Sequence, residues 1–471
     1  MELTALSLTE AADLIRRREI SAVEYAQALL DSIASHGDLA AFITVSADAL
    51  LADARRADAL TRTRHASLGP LHGVPLAVKD NIDTLDLPTT GGTPSLRGHR
   101  PTRDAAVVHA VRSTGALVLG KTNLHELAYG ITSDNAAFGA VRNPYDRGRI
   151  AGGSSGGTAA AVSARLAPAG LGTDTGGSVR IPAALCGVAG LRPTMGRYSQ
   201  EGIILVSTTR DTAGPLARSV AELAVLDAAL TGTGTPLPEP VDLHGLRLGV
   251  IRDPFWAGLP DDLTRVLEAR CAELESQGAH VVDVELPEHA HELIVQTGIP
   301  IAFHETPLTL RAYLDSWPTA PSLTDVVEQC ASPDVREILS GICGKDGIPV
   351  HVYRDAITVH RPALQDVFRD LFAAHRLAAL ISPTTPLTAV PVGTQEARLG
   401  EERIPLFPAY TRTTGPGSAT GCPGLTLPAG LDDSGLPIGL ALDGLPGSDR
   451  TLLSIGQACE RVFGLLPRPT Q

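Results

Sequence analysis

Three segments of the chain carry residues whose types and spacing suit nucleophilic chemistry. They are GVPLAVKDNID (73–83), GGSSGGTAAAVSA (152–164) and GTDTGGSVRIPAALCG (172–187). A serine hydroxyl is a weak nucleophile that needs a base within hydrogen-bond reach. The two glycines before Ser178 allow several backbone N–H groups to point into one turn, where they can hold a developing oxyanion. Taken singly, the third segment also fits an ordinary glycine turn, and the second fits a helix cap with glycine for close packing.

The lysine content draws attention to the first segment. Lys and Arg together number 39, and only Lys79, Lys121 and Lys345 are lysines, which leaves 36 arginines. A desolvated lysine can act as a base, whereas arginine keeps its proton in proteins. Lys79 is therefore the candidate base, with Lys121 as the second choice, although three lysines can also remain by chance.

The bulk composition excludes several classes of function. The net charge is −13 without a run of basic residues, which argues against binding to nucleic acid or to anionic membranes. No apolar stretch is long enough to predict a membrane span, and the amino-terminal segment lacks the features of a signal peptide. Six cysteines without a CxxC pair indicate reduced thiols and a cytoplasmic protein. No histidine spacing suits a metal site, and we expect neither a metal nor a cofactor.

The remaining pattern predicts the fold class and its organisation. From about residue 71, short apolar runs alternate with helical stretches, which favours an α/β protein with a largely buried sheet. Strands are predicted again after residue 376, so we expect one large domain of 471 residues whose sheet is completed late. Its predicted regions are an amino-terminal helical layer (1–65), a core with the three segments (66–230), a variable and mostly helical region (231–375), and strands and a helix that complete the core (376–471).

Two other motif matches are interpreted as accidental. Residues 152–156 and 153–157 satisfy G-x-S-x-G, but that nucleophile elbow must follow a strand, and NPYDRGRIA (143–151) is turn-like and charged. Residues 115–122, GALVLGKT, formally match the phosphate-binding G-x-x-x-x-G-K-[ST]. Their middle residues form an apolar strand pattern rather than an open loop. An NTP-binding protein is thus a weak alternative that depends on this segment alone.

The three segments, in this order, resemble the amidase signature family over roughly residues 65–220. The resemblance implies a mixed β-sheet sandwiched by helices and a Ser–cis-Ser–Lys triad. Residue by residue, it implies that Lys79 is the base, that Ser154 lies in a cis peptide and bridges, and that Ser178 is the nucleophile forming an acyl-enzyme. The family pattern also implies an oxyanion hole formed by backbone N–H groups, which are those of Thr175, Gly176, Gly177 and Ser178.

Supporting roles follow from the same resemblance. Ser155, Asp174 and Arg180 are expected to orient Lys79, the glycine turn and the loop after the nucleophile. Lys121 falls in a recurring GKTN segment that is noncatalytic in the family, and we interpret it as structural, paired with a buried carboxylate. A homodimer is expected by family analogy alone.

Within the family, residues 123–146 and 416–431 look most like those of indoleacetamide and mandelamide hydrolases. The expected reaction is hydrolysis of small carboxamides, in particular arylalkyl primary amides, to a carboxylic acid and ammonia. Ala419 departs from this pattern, since asparagine is expected there. The alternatives are hydrolysis of carbamates or urethanes, anilides or esters with the same triad, and the glutaminase subunit of a tRNA-dependent amidotransferase.

Overall fold

The computed structural model describes residues 2–63, 68–233, 237–345 and 347–469. The predicted boundary between residues 65 and 66 lies outside these ranges. The strands of the described residues are β1 Phe42–Thr44, β2 Pro75–Lys79, β3 Leu117–Thr122, β4 Ala169–Asp174, β5 Ala189–Arg192, β6 Thr212–Ala217, β7 Arg247–Ile251, β8 His280–Val284, β9 Ala379–Pro383, β10 Glu396–Leu399, β11 Glu402–Pro405, β12 Gly424–Leu431 and β13 Pro437–Asp443.

Helices cover the sheet. They are α1 Leu8–Arg17, α2 Ala22–Ser35, α3 Ala47–Thr63, α4 Ala106–Ser113, α5 Gly156–Ser163, α6 Arg180–Cys186, α7 Val220–Thr231, α8 Asp261–Ser276, α9 His289–Asp315, α10 Leu323–Glu328, α11 Pro333–Ile342, α12 Val350–Asp355, α13 Arg361–His375, α14 Leu406–Thr411, α15 Thr414–Thr420 and α16 Asp449–Phe463. Capping boxes Ser7–Glu10 and Ser21–Glu24 begin the first two, because each serine accepts from a backbone N–H that would otherwise lack a partner. In the described part of the chain, no helix is both long and apolar enough to cross a membrane.

Eleven of the described strands form one mixed sheet. Their order is β1-β3-β2-β4-β6-β5-β12-β13-β9-β7-β8, with β10 and β11 pairing separately as a hairpin. The strands that follow residue 376 therefore extend the same sheet as those of the amino-terminal half. This confirms the expected single α/β unit with helices around a mixed sheet. The division into four regions stays a prediction.

The sheet order brings two of the three segments to one edge. β2 pairs in parallel with β4, with Val78 opposite Leu171. Because parallel strands have their carboxyl ends at the same edge of a sheet, Lys79, which ends β2, lies next to Thr173 and Asp174, which end β4. All residues of both strands are buried. The lysine is thus held inside the protein by the backbone pairing itself.

The glycine-rich second segment allows α5 to pack very closely on this sheet. All eight residues of α5 are buried. A Cβ at Gly157 would lie 2.3 Å from the Asn123 carbonyl oxygen, and one at Gly172 would lie 2.7 Å from Ser155 Oγ. Only glycine permits these approaches. The small side chains of this segment therefore fix the distance between the start of α5 and the end of β4.

A second group of helices packs against the loops near the carboxyl end of β2. The long helix α9, with α10 and α11, packs its apolar residues against the loops around Leu127 and Ile204 as a separate hydrophobic cluster. Ile204 is also fixed to the end of β2, because its N–H donates to the Asn81 carbonyl at 2.9 Å and its carbonyl accepts from Asn81 Nδ2 at 3.1 Å. The variable region thereby forms a wall near the catalytic candidates.

Candidate active site

Lys79 is completely buried and hydrogen-bonded to two hydroxyls. Its Nζ donates to Ser154 Oγ at 2.7 Å and to Thr173 Oγ1 at 2.7 Å. Thr173 Oγ1 also accepts from Asn81 Nδ2 at 3.1 Å. No carboxylate of the described residues lies within ion-pair distance of the amine. The lysine therefore has hydrogen-bond partners but no neutralising counter-ion in contact.

Burial controls the protonation of this lysine. Removal from water disfavours the ammonium form and lowers the pKa of Lys79 from 10.5 to about 7, against the opposing influence of the more distant Asp211 and Asp174. An amine with this pKa is half deprotonated near neutral pH. Its lone pair can then accept the Ser154 hydroxyl proton along the existing 2.7 Å contact. The arrangement can therefore act as a general base at neutral pH.

Ser154 is held by its backbone so that its hydroxyl faces Lys79. The Gly153–Ser154 peptide bond is cis, which agrees with what the family resemblance implied. The Ser154 carbonyl accepts from the His125 N–H at 3.2 Å and from Ser133 Oγ at 3.3 Å. Ser133 Oγ in turn accepts from the Gly156 N–H, the first residue of α5. These contacts hold the Ser154 carbonyl and connect it to the start of α5.

Ser155 ties the second and third segments together. Its N–H donates to the Ser178 carbonyl at 3.1 Å, and its Oγ donates to the Thr173 carbonyl at 3.1 Å. Ser178 is therefore in direct backbone contact with Ser155, the neighbour of Ser154 in sequence. Within the described ranges, Ser178 Oγ makes no hydrogen bond, so its hydroxyl is available to a bound substrate. The predicted nucleophile and bridging serine are in one place, 24 residues apart in sequence.

Asp174 shapes the turn that carries Ser178. Its carboxylate accepts from Arg180 Nε and Nη2, both at 3.1 Å, and from Arg192 Nη1 at 3.2 Å. Burial raises the pKa of Asp174, but the two guanidinium groups outweigh burial and hold that pKa well below its usual range. Arg180 also donates to Ser418 Oγ of α15 at 2.7 Å. The buried cluster thereby joins the turn to the late part of the chain.

The same carboxylate uses one of the predicted oxyanion donors. The Gly177 N–H donates to Asp174 Oδ1 at 2.8 Å, and Gly177 has a φ of +133°, a conformation that requires glycine. Among the described residues, the N–H groups of Thr175, Gly176 and Ser178 have no hydrogen-bond acceptor. Thr414 Oγ1 donates to the Gly176 carbonyl at 2.6 Å and fixes the turn from the opposite side. Three of the four predicted donors are therefore unoccupied.

The two accidental motif matches have structural roles. Residues 117–122 form the fully buried strand β3, not a loop. Lys121 Nζ donates to Thr89 Oγ1 at 2.7 Å and lies 3.4 Å from Asp80 Oδ1, so it pairs with a buried carboxylate as expected. The last strand before the serine pair of 154–155 is β3, which ends at Thr122, so no strand runs directly into these serines and a nucleophile elbow is excluded there.

Several residues of the site were not identified from the sequence. They are Asn81, Thr173, Arg192, Asp211 and Thr414. Thr173 adjoins Asp174, so its position at the strand end was the one available signal. Arg192 lies at the end of β5, and Thr414 begins α15. Neither residue lies in a motif, because their contacts join distant parts of the chain.

Comparisons with known proteins agree with this geometry. The amidase family model matches residues 24–453. The chain is 42% identical to mandelamide hydrolase from Pseudomonas putida, over 99% of this chain and 93% of that protein. It is 40% identical to indoleacetamide hydrolase from Agrobacterium vitis, over 98% of each. The solved peptide amidase from Stenotrophomonas maltophilia superposes with a TM-score of 0.86 at 32% identity, covering 99% of this chain and 98% of that one.

The chain therefore belongs to the amidase family. Its relatives and its solved neighbours support a hydrolase that acts on amide C–N bonds.

Proposed function

We propose that this amidase hydrolyses small carboxamides, in particular arylalkyl primary amides, with Ser178 as nucleophile, Ser154 as bridge and Lys79 as base. One observation carries the proposal: a buried lysine with a pKa of about 7 in a 2.7 Å hydrogen bond to a serine that adjoins the glycine turn. A lysine in this state suits base catalysis at neutral pH. The similarity of the chain to a mandelamide hydrolase and to an indoleacetamide hydrolase supports this substrate class.

The acylation step transfers two protons in a relay, with a net transfer from Ser178 to Lys79. Neutral Lys79 accepts the Ser154 hydroxyl proton while Ser154 accepts the Ser178 proton, and Ser178 Oγ forms a bond to the amide carbonyl carbon. Hydrogen bonds of this kind commonly tighten only when substrate binds, which is consistent with the free Ser178 hydroxyl. The carbonyl oxygen becomes an oxyanion. Thr173 Oγ1 holds the resulting ammonium of Lys79 in place.

The oxyanion is stabilised by the unoccupied N–H groups of the glycine turn. Thr175, Gly176 and Ser178 supply these donors, and the Gly177 N–H stays with Asp174. Preorganised donors of this type lower the activation barrier: removal of a single donor in other enzymes raises the barrier by about 2.7–4 kcal/mol. The buried Asp174 cluster with Arg180 and Arg192 is proposed to hold them in position.

Collapse of the tetrahedral intermediate breaks the C–N bond. Lys79 returns its proton, through Ser154, to the leaving nitrogen, so ammonia departs neutral and the carboxyl carbon stays esterified to Ser178. Water then attacks the ester by the same relay. The carbon–Oγ bond breaks, Ser178 regains its proton and the carboxylic acid is released. The lysine ends in the state in which it began.

Ammonia release from a panel of amides tests the proposal. The panel contains indole-3-acetamide, phenylacetamide, mandelamide, benzamide, simple aliphatic amides and glutamine, without ATP. We expect release from an arylalkyl amide by the wild type and none by Ser178→Ala. Ser163→Ala is the matched control, because Ser163 is a buried serine at the far end of α5. Full activity in Ser178→Ala would refute the assignment of the nucleophile.

The same panel separates the alternatives. Preferred release from glutamine would favour the glutaminase subunit of an amidotransferase. Inactivity toward every amide, with turnover of carbamates, anilides or esters that depends on Ser178, would favour those substrates. The homodimer and the cytoplasmic location stay predictions, and light scattering of the purified chain tests the first. The cysteines, all free and five of them buried, support a reducing compartment.

A further inference from the structure

Arg210 is a buried cation with few partners. Only 7% of the residue is exposed. Its Nη1 donates to the Gly298 carbonyl of α9 at 2.6 Å, while its Nε has no partner among the described residues. None of the described carboxylates lies within 4.0 Å of its guanidinium. By contrast, Arg180 and Arg192 both bind Asp174 directly. Arg210 is thus not used in the ion-pair cluster next to it.

The guanidinium borders open space beside the oxyanion turn. A Cβ added at Gly176 would meet only Arg210 Nη2, at 3.7 Å, and no other atom within 4 Å. A Cβ at Gly298 would likewise meet only Arg210 Nη1, at 3.9 Å. Thr175 and Gly176 are partly exposed, so solvent reaches this side of the turn. Arg210 Nη2 therefore lies close to Gly176, in the turn that carries the unoccupied oxyanion donors, with open space between them.

The position of Arg210 is fixed rather than adaptable. Its carbonyl accepts from Arg192 Nη2 at 2.7 Å. The preceding Thr209 is held by Glu305 of α9, whose carboxylate accepts the Thr209 N–H at 3.0 Å and the hydroxyl proton at 2.9 Å. Arg361 Nη2 donates to the same threonine hydroxyl at 3.1 Å. The backbone is thus clamped on both sides, and the side chain is directed between α9 and the turn.

A guanidinium carries five N–H donors and no acceptor, and its burial is unfavourable unless those donors are used. We propose that Arg210 binds a hydrogen-bond-accepting oxygen on the substrate carbon next to the scissile carbonyl, so that the enzyme favours 2-hydroxy carboxamides over the unsubstituted amides. The inference rests on the proposed function, because it assumes that the carbonyl binds at the turn of Ser178. In this role Arg210, a residue outside the triad, distinguishes substrates that differ only in the oxygen on this carbon.

The geometry accounts for this preference. With Ser178 attacking and the carbonyl oxygen bound by the N–H groups of Thr175 and Gly176, we expect the adjoining carbon beside Gly176. An oxygen on that carbon then faces the gap toward Arg210 Nη2. Because a chiral carbon presents its hydroxyl on one side only, the preference should hold for one enantiomer.

The test uses substrate pairs that differ by one oxygen: mandelamide with phenylacetamide, and lactamide with propanamide. We measure kcat/KM for each pair and each enantiomer with wild type and Arg210→Met. Hydrogen bonds to charged groups correspond to about a 10- to 100-fold effect. We expect the variant to lose the 2-hydroxy preference and the enantiomer preference by such a factor, while the unsubstituted amides change little. Arg247→Met is the matched control, since Arg247 also donates to one backbone carbonyl, that of His375.

The outcomes distinguish this inference from the proposed function. An equal loss on both members of each pair, or a wild type without a 2-hydroxy preference, would overturn the role of Arg210 while Ser178-dependent ammonia release still stands. Absence of any Ser178-dependent release would overturn both. If Arg210→Met does not fold, calorimetry with Ser178→Ala decides the question. Binding of one mandelamide enantiomer at least 10-fold tighter than phenylacetamide supports the inference, and equal binding refutes it.

Discussion

Replacement of Lys79 by methionine should reveal what it costs the protein to hold a neutral lysine. Burial lowers the pKa of Lys79 from 10.5 to about 7. Between these values the unfolded chain holds the lysine proton and the folded chain does not. The gap corresponds to about 5 kcal/mol, because each pKa unit is worth about 1.4 kcal/mol. This contribution to the free energy of unfolding is fully present above pH 10.5, where the lysine is neutral in both states. It is lost as the pH falls to about 7.

The variant has no such group, so its stability should lack this component. We expect the free energy of unfolding of Lys79→Met, relative to wild type, to fall by about 1.4 kcal/mol per pH unit between pH 8 and 10. Other titrating groups are common to both proteins and cancel in the difference. Urea unfolding at pH 8, 9 and 10 measures this difference in the free energy of unfolding. The dependence on urea concentration, m, is compared between the two proteins at each pH.

Thr173→Val is the control for this experiment. It removes one hydrogen-bond partner of the amine but keeps the lysine, so its pH-dependent component should persist. A Lys79→Met difference that is independent of pH between 8 and 10 would refute the reasoning. It would mean that the folded protein holds the lysine proton as tightly as the unfolded chain does, and that Lys79 is not a neutral base near pH 7.

Three further predictions concern the same site. The kcat/KM of the wild type should rise about tenfold per pH unit below pH 7 and level off above it, since only neutral Lys79 accepts a proton; a pH–rate profile with the same limb in Lys79→Met would contradict this. Ser154→Ala should lower kcat about 10²- to 10⁴-fold in steady-state assays, because the proton relay is broken, whereas wild-type rates would exclude the bridge. Lys121→Met should lower the free energy of unfolding by about 3–5 kcal/mol in urea, since Asp80 stays buried without its cation, while the folded fraction keeps its catalytic chemistry.

The fold class and the location of the chemistry could be predicted because both depend on local patterns. Alternating apolar runs indicated an α/β sheet, and the glycines of the second segment indicated a tightly packed helix, which is α5. The strands β1 and β6 were not predicted, since β1 has only three residues and β6, TAGPLA, contains glycine and proline instead of the apolar run that identifies a strand.

The parts of the site that could not be predicted are long-range contacts. The hydrogen bond from the Gly177 N–H to Asp174 depends on the position in which two arginines hold the Asp174 carboxylate. One of them, Arg192, reaches that carboxylate from a different strand. Arg210 is directed at the turn because α9, nearly 90 residues later, supplies its carbonyl partner. Region 287–376 carries no recognisable motif, yet its helix α9 forms a wall of the site.

The most direct measurement is the location of the acyl group during turnover. Rapid acid quench with a slowly deacylating ester, followed by trypsin and mass spectrometry, separates the two serine segments, because cleavage after Arg149, Arg165 and Arg180 places Ser154 in 150–165 and Ser178 in 166–180. We predict the acyl mass on peptide 166–180 in the wild type and on neither peptide in Ser178→Ala. An acyl mass on peptide 150–165, or turnover with no adduct on either, would contradict the proposed mechanism.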